Sequence, residues 1–223
     1  MKLLSIDTSG QIFSIAIHIN DAIEVAEYPA GKINSEKILP EIKIMMSRLS
    51  IGFSDLEGVA FGAGPGSFTG VRVASGIAYG IAYSLNIPIE GVNTLEALAT
   101  LEDNKHCISC IDARMSQLYI GAYEVNKGGL ITLSEPGLYD PDALPDINIK
   151  AATIIGSGVS MYKNQLSEKY SHINLTVVEK EYSLAEAIAK LALPRMKKGF
   201  DLMDAHPIYI RNKVAQTILE RNS

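Results

Sequence analysis

The chain has 223 residues, enough for one large domain or two small ones. Apolar residues make up 47% of it and charged residues 20%, which excludes a disordered or collagen-like protein. With 20 basic and 25 acidic residues the net charge is −5. This acidic balance argues against a protein that holds nucleic acid mainly through its own basic surface.

The apolar segments are too short to cross a membrane. Residues 1–6 resemble the start of a signal peptide, but Asp7 interrupts the run before a hydrophobic region can form. The longest later apolar stretch, residues 12–19, is much shorter than a bilayer span and contains Ser14 and His18. We therefore expect a cytoplasmic protein that makes no contact with a membrane.

The first half of the chain predicts three strands followed by alternating helices and strands. Asn20-Asp21 separates two strand-like runs, as a hairpin turn does. Apolar residues at helical spacing follow the capping pair Asn34-Ser35, and Gly52 ends that helix. The predicted order is strand 2–7, strand 11–19, strand 22–28, helix 34–50, strand 59–62, helix 70–85, strand 87–92 and helix 94–101.

The second half repeats this order of elements. It predicts strands 107–112, 117–125 and 130–139, a helical turn at 141–144, strand 152–155, helix 159–168, strand 173–178 and helix 183–198. Pro194 is expected to end or kink the last helix. We therefore predict two tandem domains, residues 1–103 and 104–223, with the segment after Asp204 a candidate to pack back on the first domain.

Cys107 and Cys110 form a C-x-x-C pair, a spacing found in redox and zinc sites. They lie in a predicted strand, where residues three apart point to opposite faces of the sheet. The sequence has no second cysteine pair, and its four histidines are scattered. We predict two buried structural thiols and no metal site.

The first strand of each half ends in Ile-Asp, at Asp7 and at Asp112. Two tandem α/β domains with an acid after the first strand resemble the architecture shared by actin, heat-shock chaperones and sugar kinases. In that superfamily the two acidic hairpins face each other across a nucleotide cleft. The resemblance implies an actin-like, ribonuclease H-like fold, but a fold does not by itself establish a function.

Asp7, Thr8, Ser9 and Gly10 resemble the first phosphate loop of that superfamily, although an Asx turn has the same composition. The second loop lacks a glycine after Asp112, where the backbone would approach phosphate closely. Gly156 and Gly158 are either the remnant of an adenosine loop or a turn before a helix. We therefore expect a degenerate nucleotide site, either vestigial or completed at a subunit junction.

The most glycine-rich stretch follows a strand and opens a helix, the usual setting of an anion site. It lacks the Gly-Lys-Ser/Thr of a P-loop, the third glycine of a dinucleotide fingerprint and the glycine spacing of a G-x-S-x-G elbow. A strained turn with a Ser/Thr helix cap explains it equally well. Its members are Gly64, Pro65, Gly66, Ser67, Phe68, Thr69, Gly70 and Arg72.

The helix that follows carries small residues at four-residue spacing, which allows another helix to approach closely. Close packing on the helix's own sheet is the alternative. We predict that this helix and the helix beginning near Asn34 form the principal subunit interface. The predicted interface residues are Gly70, Val73, Ala74, Ile77, Ala78, Gly80, Ile81, Met45 and Met46.

The stretch from Gly64 to Arg72 resembles the signature of the bacterial TsaB (YeaZ) family. Four further motifs agree, so the similarity extends over essentially the whole chain. They are Leu4–Ser9, Asn93–Leu98, Ile111–Met115 with Tyr119, and Pro207–Asn212. The sequence departs from the family at Asn34, where the family often has a histidine, so no imidazole chemistry is carried over to this position.

The resemblance implies a non-catalytic subunit that pairs with TsaD and acts with the ATPase TsaE. Together these proteins transfer threonylcarbamoyl from its adenylate to the adenosine 3′ of the tRNA anticodon. Metal and nucleotide are then expected on partner subunits or at a subunit junction, tRNA is contacted only through the complex, and the chain alone is expected to form a homodimer. The alternative is an autonomous actin-like ATPase or small-molecule kinase. A protease is disfavoured, because the sequence shows neither a serine-triad signature nor an H-E-x-x-H motif.

Overall fold

The structure is a computed structural model that describes residues 1–29, 35–126, 129–196 and 206–211. Within these residues the strands are β1 (Leu3–Asp7), β2 (Ile12–Ile19), β3 (Ala22–Pro29), β4 (Gly58–Gly64), β5 (Ile89–Asn93), β6 (His106–Arg114), β7 (Gln117–Asn126), β8 (Gly129–Tyr139), β9 (Ala151–Ile155) and β10 (Asn174–Val178). The helices are α1 (Ser35–Arg48), α2 (Phe68–Leu85), α3 (Thr94–Ala99), α4 (Gly158–Met161), α5 (Lys163–Lys169) and α6 (Ala185–Met196).

The strands form two mixed sheets of five strands each, so the fold is α/β. The first sheet has the order β3-β2-β1-β4-β5, and the second has the order β10-β9-β6-β7-β8. In each sheet the first three strands in sequence are antiparallel, and the last two run parallel to the first. The second half of the chain therefore repeats the topology of the first half.

The first hairpin shows how local sequence sets this topology. Asn20 and Asp21 connect β2 to β3 and have φ values of 49° and 63°. Asparagine and aspartate tolerate this left-handed region better than most residues, and two such residues in succession make a tight hairpin turn. The alternation of β2 then places Phe13, Ile15 and Ile17 in the core.

Each sheet is covered on its outer face by helices of its own half. Helices α1 and α2 pack on the first sheet through Ile42, Ala74 and Ala78. Helices α4 and α5 pack on the second sheet through Val159 and Leu166. These outer faces form two of the three hydrophobic clusters in the part of the chain that the structure describes.

The third cluster lies between the sheets and is formed by helices that cross from one half to the other. Helix α3 follows the last strand of the first sheet but packs on β6 and β7, while α6 follows the last strand of the second sheet but packs on β1, β2, β4 and β5. Arg195 of α6 forms ion pairs with Glu96 of α3 and Glu90 of β5, at 2.5 and 3.5 Å. The two halves are therefore interlocked as well as adjacent.

Several sequence predictions differ from the structure in detail. Residues 141–143 form a turn rather than a helix, and the helix predicted at 159–168 is divided into α4 and α5 at Tyr162. Pro194 lies inside α6, which continues to Met196. Asn34 and the end of the helix predicted to reach residue 198 lie outside the described residues. The domain boundary near residue 103 stays a prediction.

The paired cysteines lie as predicted on opposite faces of β6. Cys107 belongs to the cluster between the sheets, and Cys110 belongs to the outer cluster under α4 and α5. Both are free and buried, and burial raises the pKa of each thiol, that of Cys107 to about 12. A thiol with a raised pKa is a poor nucleophile, which agrees with a structural role.

Candidate functional site

A cleft of about 1000 Å³ lies between the two halves. The first half lines it with residues 9–11 and 65–68, and the second half with residues 111–115 and with Gly156 and Ser157. Residues 208–211 also line it. Most motifs singled out in the sequence therefore converge on this cleft.

The glycine-rich signature packs against the loop that follows β1. The Thr8 hydroxyl donates a hydrogen bond of 2.5 Å to the Gly70 carbonyl, and the Ser67 amide donates one of 2.8 Å to the Ser9 carbonyl. A Cβ atom on Gly70 would lie 1.8 Å from the Thr8 carbonyl oxygen, and one on Gly66 would lie 2.8 Å from that of Ser9. Glycine is needed here because two backbone segments of the same chain meet.

The start of α2 is capped within the chain. The Ser67 hydroxyl accepts a hydrogen bond of 3.3 Å from the Gly70 amide. Close by, the guanidinium group of Arg72 lies 3.3 Å from the ring centre of Phe68 and 5.0 Å from that of Tyr209. These contacts form the capped turn that the sequence suggested, and an anion site at this helix start stays a prediction.

Asp7 is fully buried beneath the first loop. The Ser9 amide donates to Asp7 Oδ1 at 3.2 Å, while Asp7 Oδ2 has no hydrogen-bond partner among the described residues. Burial raises the pKa of this carboxyl group from 3.8 to about 6, against the lowering effect of the Ser9 hydrogen bonds. Asp7 and Thr8 are not among the residues that line the cleft, whereas Ser9 and Gly10 are.

Asp112 is not the structural counterpart of Asp7, although both follow isoleucine at the end of a first strand. Asp7 lies on the same face of β1 as Ser5, the inner face that packs toward α6. Asp112 lies on the same face of β6 as Cys110, the outer face that packs toward α4 and α5. The inner-face residue that corresponds to Asp7 is Ile111. The repeated Ile-Asp is therefore displaced by one residue between the halves, and a displacement of one residue reverses the face of a strand.

The Asp112 carboxylate is occupied by its own hairpin. Its Oδ1 accepts a hydrogen bond of 2.9 Å from the Arg114 amide, and its Oδ2 lies 3.2 Å from Arg114 Nη1. The turn continues through Arg114, Met115 and Ser116, which have φ values of 61°, 53° and 55°. Three consecutive non-glycine residues in the left-handed region make this a costly conformation.

The second glycine pair has two different environments. Gly156 has a φ of 121°, and a Cβ atom there would lie 2.2 Å from the Cys110 carbonyl oxygen. Gly158 begins α4 and lies against Cys110 Sγ, away from the cleft. Between them, the Ser157 hydroxyl accepts a hydrogen bond of 3.2 Å from the Asp112 amide. This pair therefore closes a tight turn against β6.

The predicted subunit interface requires correction. Four of its residues are buried in the core of this chain and are not available to a partner: Met45, Met46, Ala74 and Ala78 have relative exposures of 3% or less. The helix spacing was read correctly, but these positions face the first sheet. Gly70 is taken up by its contact with the first loop, and Val73 is partly buried against the same core.

A groove of about 500 Å³ remains on the outer side of α1 and α2. Ile77, Gly80 and the largely buried Ile81 of the predicted set line it. The prediction missed the contributions of Leu39, Lys43 and Phe53. Leu39 is 44% exposed, and nothing lies within 4 Å of a Cβ atom built on Gly76 or Gly80. Of the small residues at four-residue spacing, Gly76, Gly80 and Ser84 form the row that lines this groove, as predicted for a surface that another helix can approach closely.

Neither a metal cluster nor a membrane helix is found in the described ranges. Residues 1–29, 35–126, 129–196 and 206–211 contain no group of three or more His, Cys, Asp or Glu side chains placed to hold a metal ion. Over these same residues, no helix combines the length and apolar character needed to cross a membrane.

Comparison with known proteins identifies the family. The family model described as "TsaD: tRNA N6-adenosine threonylcarbamoyltransferase" matches residues 29–215. The "tRNA threonylcarbamoyladenosine biosynthesis protein TsaB" of Haemophilus influenzae is 30% identical to this chain, over 96% of this chain and 95% of the relative. The chain belongs to the TsaB family. The Escherichia coli TsaB is 27% identical, over 96% of each protein.

Solved structures agree with the TsaB assignment. A crystal structure of an uncharacterized protein with similarity to peptidase YeaZ from Pseudomonas aeruginosa has a TM-score of 0.79 and 25% identity, and covers 94% of this chain and 99% of that chain. A structure of YeaZ from Pseudomonas aeruginosa has a TM-score of 0.78 and 24% identity, over 93% and 99% of the two chains, which shows the shared fold. The resemblance noted in the sequence is thus confirmed.

Proposed function

We propose that this TsaB-family chain is a non-catalytic subunit that pairs with TsaD and activates it. The reaction is the transfer of threonylcarbamoyl from its adenylate to the adenosine 3′ of the tRNA anticodon, with TsaE as the ATPase of the assembly. The observation that carries this proposal is the match over 95% of the Haemophilus influenzae TsaB, whose name places it in threonylcarbamoyladenosine biosynthesis. The negative net charge of −5 fits a subunit that contacts tRNA only through the complex. We place the reaction in the cytoplasm.

We further propose that the fold is actin-like and that its nucleotide site is degenerate. The identical strand order of the two sheets supports the fold assignment. Two groups that could bind a nucleotide are already used within the chain. The Ser67 amide donates to the Ser9 carbonyl, and the Asp112 carboxylate is paired with Arg114. These contacts support a degenerate site. On this proposal, metal and nucleotide belong to the partner subunits or to a subunit junction.

We assign the pairing surface to the groove between α1 and α2. Gly76 and Gly80 leave open space at its floor, and the half-exposed Leu39 adds apolar area at its rim. Small residues let a partner helix approach closely. A second copy of the chain can use the same groove when TsaD is absent, because a two-fold axis pairs one surface with itself.

An autonomous actin-like ATPase or small-molecule kinase is the second candidate. The cleft of about 1000 Å³ favours it, since such enzymes bind their ligands between two α/β halves. The buried Asp7 carboxyl group would have to reach that cleft for the chemistry, yet it does not line it. The two candidates differ in what the isolated chain can do.

Reconstitution tests the proposal directly. Purified TsaD and TsaE, with unmodified tRNA, ATP and threonylcarbamoyl adenylate, are assayed for the modified adenosine with and without this chain. We expect modification to require the chain, and we expect the chain alone to hydrolyse ATP negligibly. Full modification without the chain would contradict the proposal. ATP turnover by the pure chain that is lost on Asp7→Ala would favour the second candidate.

A further inference from the structure

Residues 206–211 connect the two halves of the chain, and residues 208–211 of this segment line the cleft. The Ile208 amide donates a hydrogen bond of 2.6 Å to the Ala63 carbonyl at the end of β4, in the first sheet. Three residues later, Arg211 Nη2 donates to Gln117 Oε1 at 2.6 Å, at the start of β7 in the second sheet. One short segment therefore forms hydrogen bonds with both halves of the chain.

Apolar contacts follow the same division. Ile208 packs against the cluster of the first sheet, while Ile210 packs against the cluster between the sheets. Tyr209 extends outward, remains 53% exposed and lies over the Arg72 guanidinium group. Ile208 and Ile210, the two apolar contacts of the segment, are only partly buried. Strands β1 and β4 beneath them are fully buried.

Arg211 ends the segment on the strained hairpin turn of the second half. Its guanidinium group donates to the Arg114 carbonyl at 3.2 Å and lies 3.0 Å from the sulfur of Met115. These are two of the three consecutive left-handed residues of the turn. The turn conformation is unfavourable by itself, so a cation fixed against its carbonyl and sulfur offsets part of that cost.

We propose that residues 206–211 form a releasable strap that holds the cleft closed, with Arg211 as its latch on the left-handed turn. Segments with few backbone hydrogen bonds and partly exposed anchors open locally at far lower free energy than a sheet core. Release of the latch frees the hairpin and the Ala63 end of β4 to move apart. The strap thereby sets how far the cleft opens, whichever molecule the cleft accepts.

Amide hydrogen exchange on the full chain tests the strap. We expect the Ile208 amide to exchange at least about 100-fold faster than the amides of β1, because it opens locally. Arg211→Ala should accelerate the Ile208 amide by at least about tenfold and leave the amides of β1 unchanged. The matched control is Arg48→Ala, which removes an exposed guanidinium group at the end of α1 and touches neither the strap nor its turn, and it should leave the Ile208 amide unchanged.

A fluorescence measurement gives an independent readout. The chain contains no tryptophan, so Tyr209→Trp places a single reporter on the strap. In that background Arg211→Ala should raise the acrylamide quenching constant, whereas Arg48→Ala should not. The proposal is overturned if the Ile208 amide exchanges only together with β1, or if Arg211→Ala changes neither its exchange nor the quenching.

Discussion

The Ser5 hydroxyl donates a hydrogen bond of 2.6 Å to the carbonyl oxygen of Ala185, 180 residues further along the chain. Ser109 makes the equivalent bond in the other half, 2.7 Å from the Leu95 carbonyl. Both serines are buried on the inner face of the central strand of their sheet, and each fixes the first turn of the helix that crosses from the opposite half. A matched pair of buried hydroxyl groups thus contributes to the interlocking of the two halves, beside the apolar cluster between the sheets.

Removing either hydroxyl should destabilise the fold. We expect Ser5→Ala and Ser109→Ala each to lower the free energy of unfolding by about 1 kcal/mol, because each removes a buried hydrogen bond without leaving a charge unpaired. Ser47→Ala, at an exposed site on α1, is the control, and it should change the stability by less than about 0.5 kcal/mol. Urea unfolding measures all three. Equal stability of the buried and exposed variants would show that the matched bonds contribute nothing.

Two glycines of α2 should respond in opposite directions to the same substitution. Gly70→Ala places a methyl group 1.8 Å from the Thr8 carbonyl oxygen and should destabilise the chain by roughly 3 kcal/mol or more. Gly76→Ala, in open space on the same helix, should stabilise it by about 0.5–1 kcal/mol, since alanine favours helix. Thermal unfolding of both variants provides the comparison. A tolerated Gly70→Ala would mean that the signature loop does not pack against Thr8.

Asp7 should make the stability of the chain depend on pH. Its carboxyl group has a pKa of about 6 in the folded chain against 3.8 ordinarily, so the folded state holds the proton more tightly than the unfolded state. The contribution of Asp7 to stability is therefore present at low pH and is lost as the pH rises through the folded pKa of about 6. At about 1.36 kcal/mol per pKa unit, the loss is on the order of 3 kcal/mol.

The variant Asp7→Asn should remove this part of the pH dependence. We expect its stability in urea, measured from pH 4 to pH 8, to fall less steeply than that of the natural chain, because the amide does not titrate. Ser47→Ala, at the exposed site on α1, removes no titratable group, so it serves as the control and should keep the natural slope. Parallel curves for the natural chain and Asp7→Asn would show that Asp7 is not buried as described.

Local signals predicted the elements well. The Asn20-Asp21 pair has the left-handed conformation of a tight hairpin turn, and the strand around Cys107 and Cys110 places the two thiols on opposite faces. The helix of residues 70–85 was found two residues short of its start at Phe68. In each case, the residues that determine the structure lie within a few positions of one another.

Features that depend on the far side of the fold were not predictable from one sequence. No local pattern indicates that α6 packs on β1, because its apolar residues suit either sheet. Met45 and Met46 have the helical spacing of an interface as well as of a core, and only the position of the sheet shows that they are buried. The repeated Ile-Asp suggested that Asp7 and Asp112 are counterparts in the two halves. They are not, because the repeat is shifted by one residue, and such a shift reverses the face of the strand on which Asp112 lies.

The central claim is that this chain acts by pairing with TsaD through the groove between α1 and α2. The most direct test is to titrate TsaD with the natural chain and with Gly80→Leu and to compare the two affinities. Leucine at Gly80 enters open space in the free chain, so the variant should fold but hold a partner helix away. An overpacked contact costs roughly 1–3 kcal/mol, or roughly 5- to 150-fold in affinity. Lys150→Leu, on the exposed surface of the second half, is the control. We predict tight binding by the natural chain and by Lys150→Leu, and weakened binding by folded Gly80→Leu. Failure of the natural chain to bind TsaD, or equal affinity of all three chains, would contradict the account.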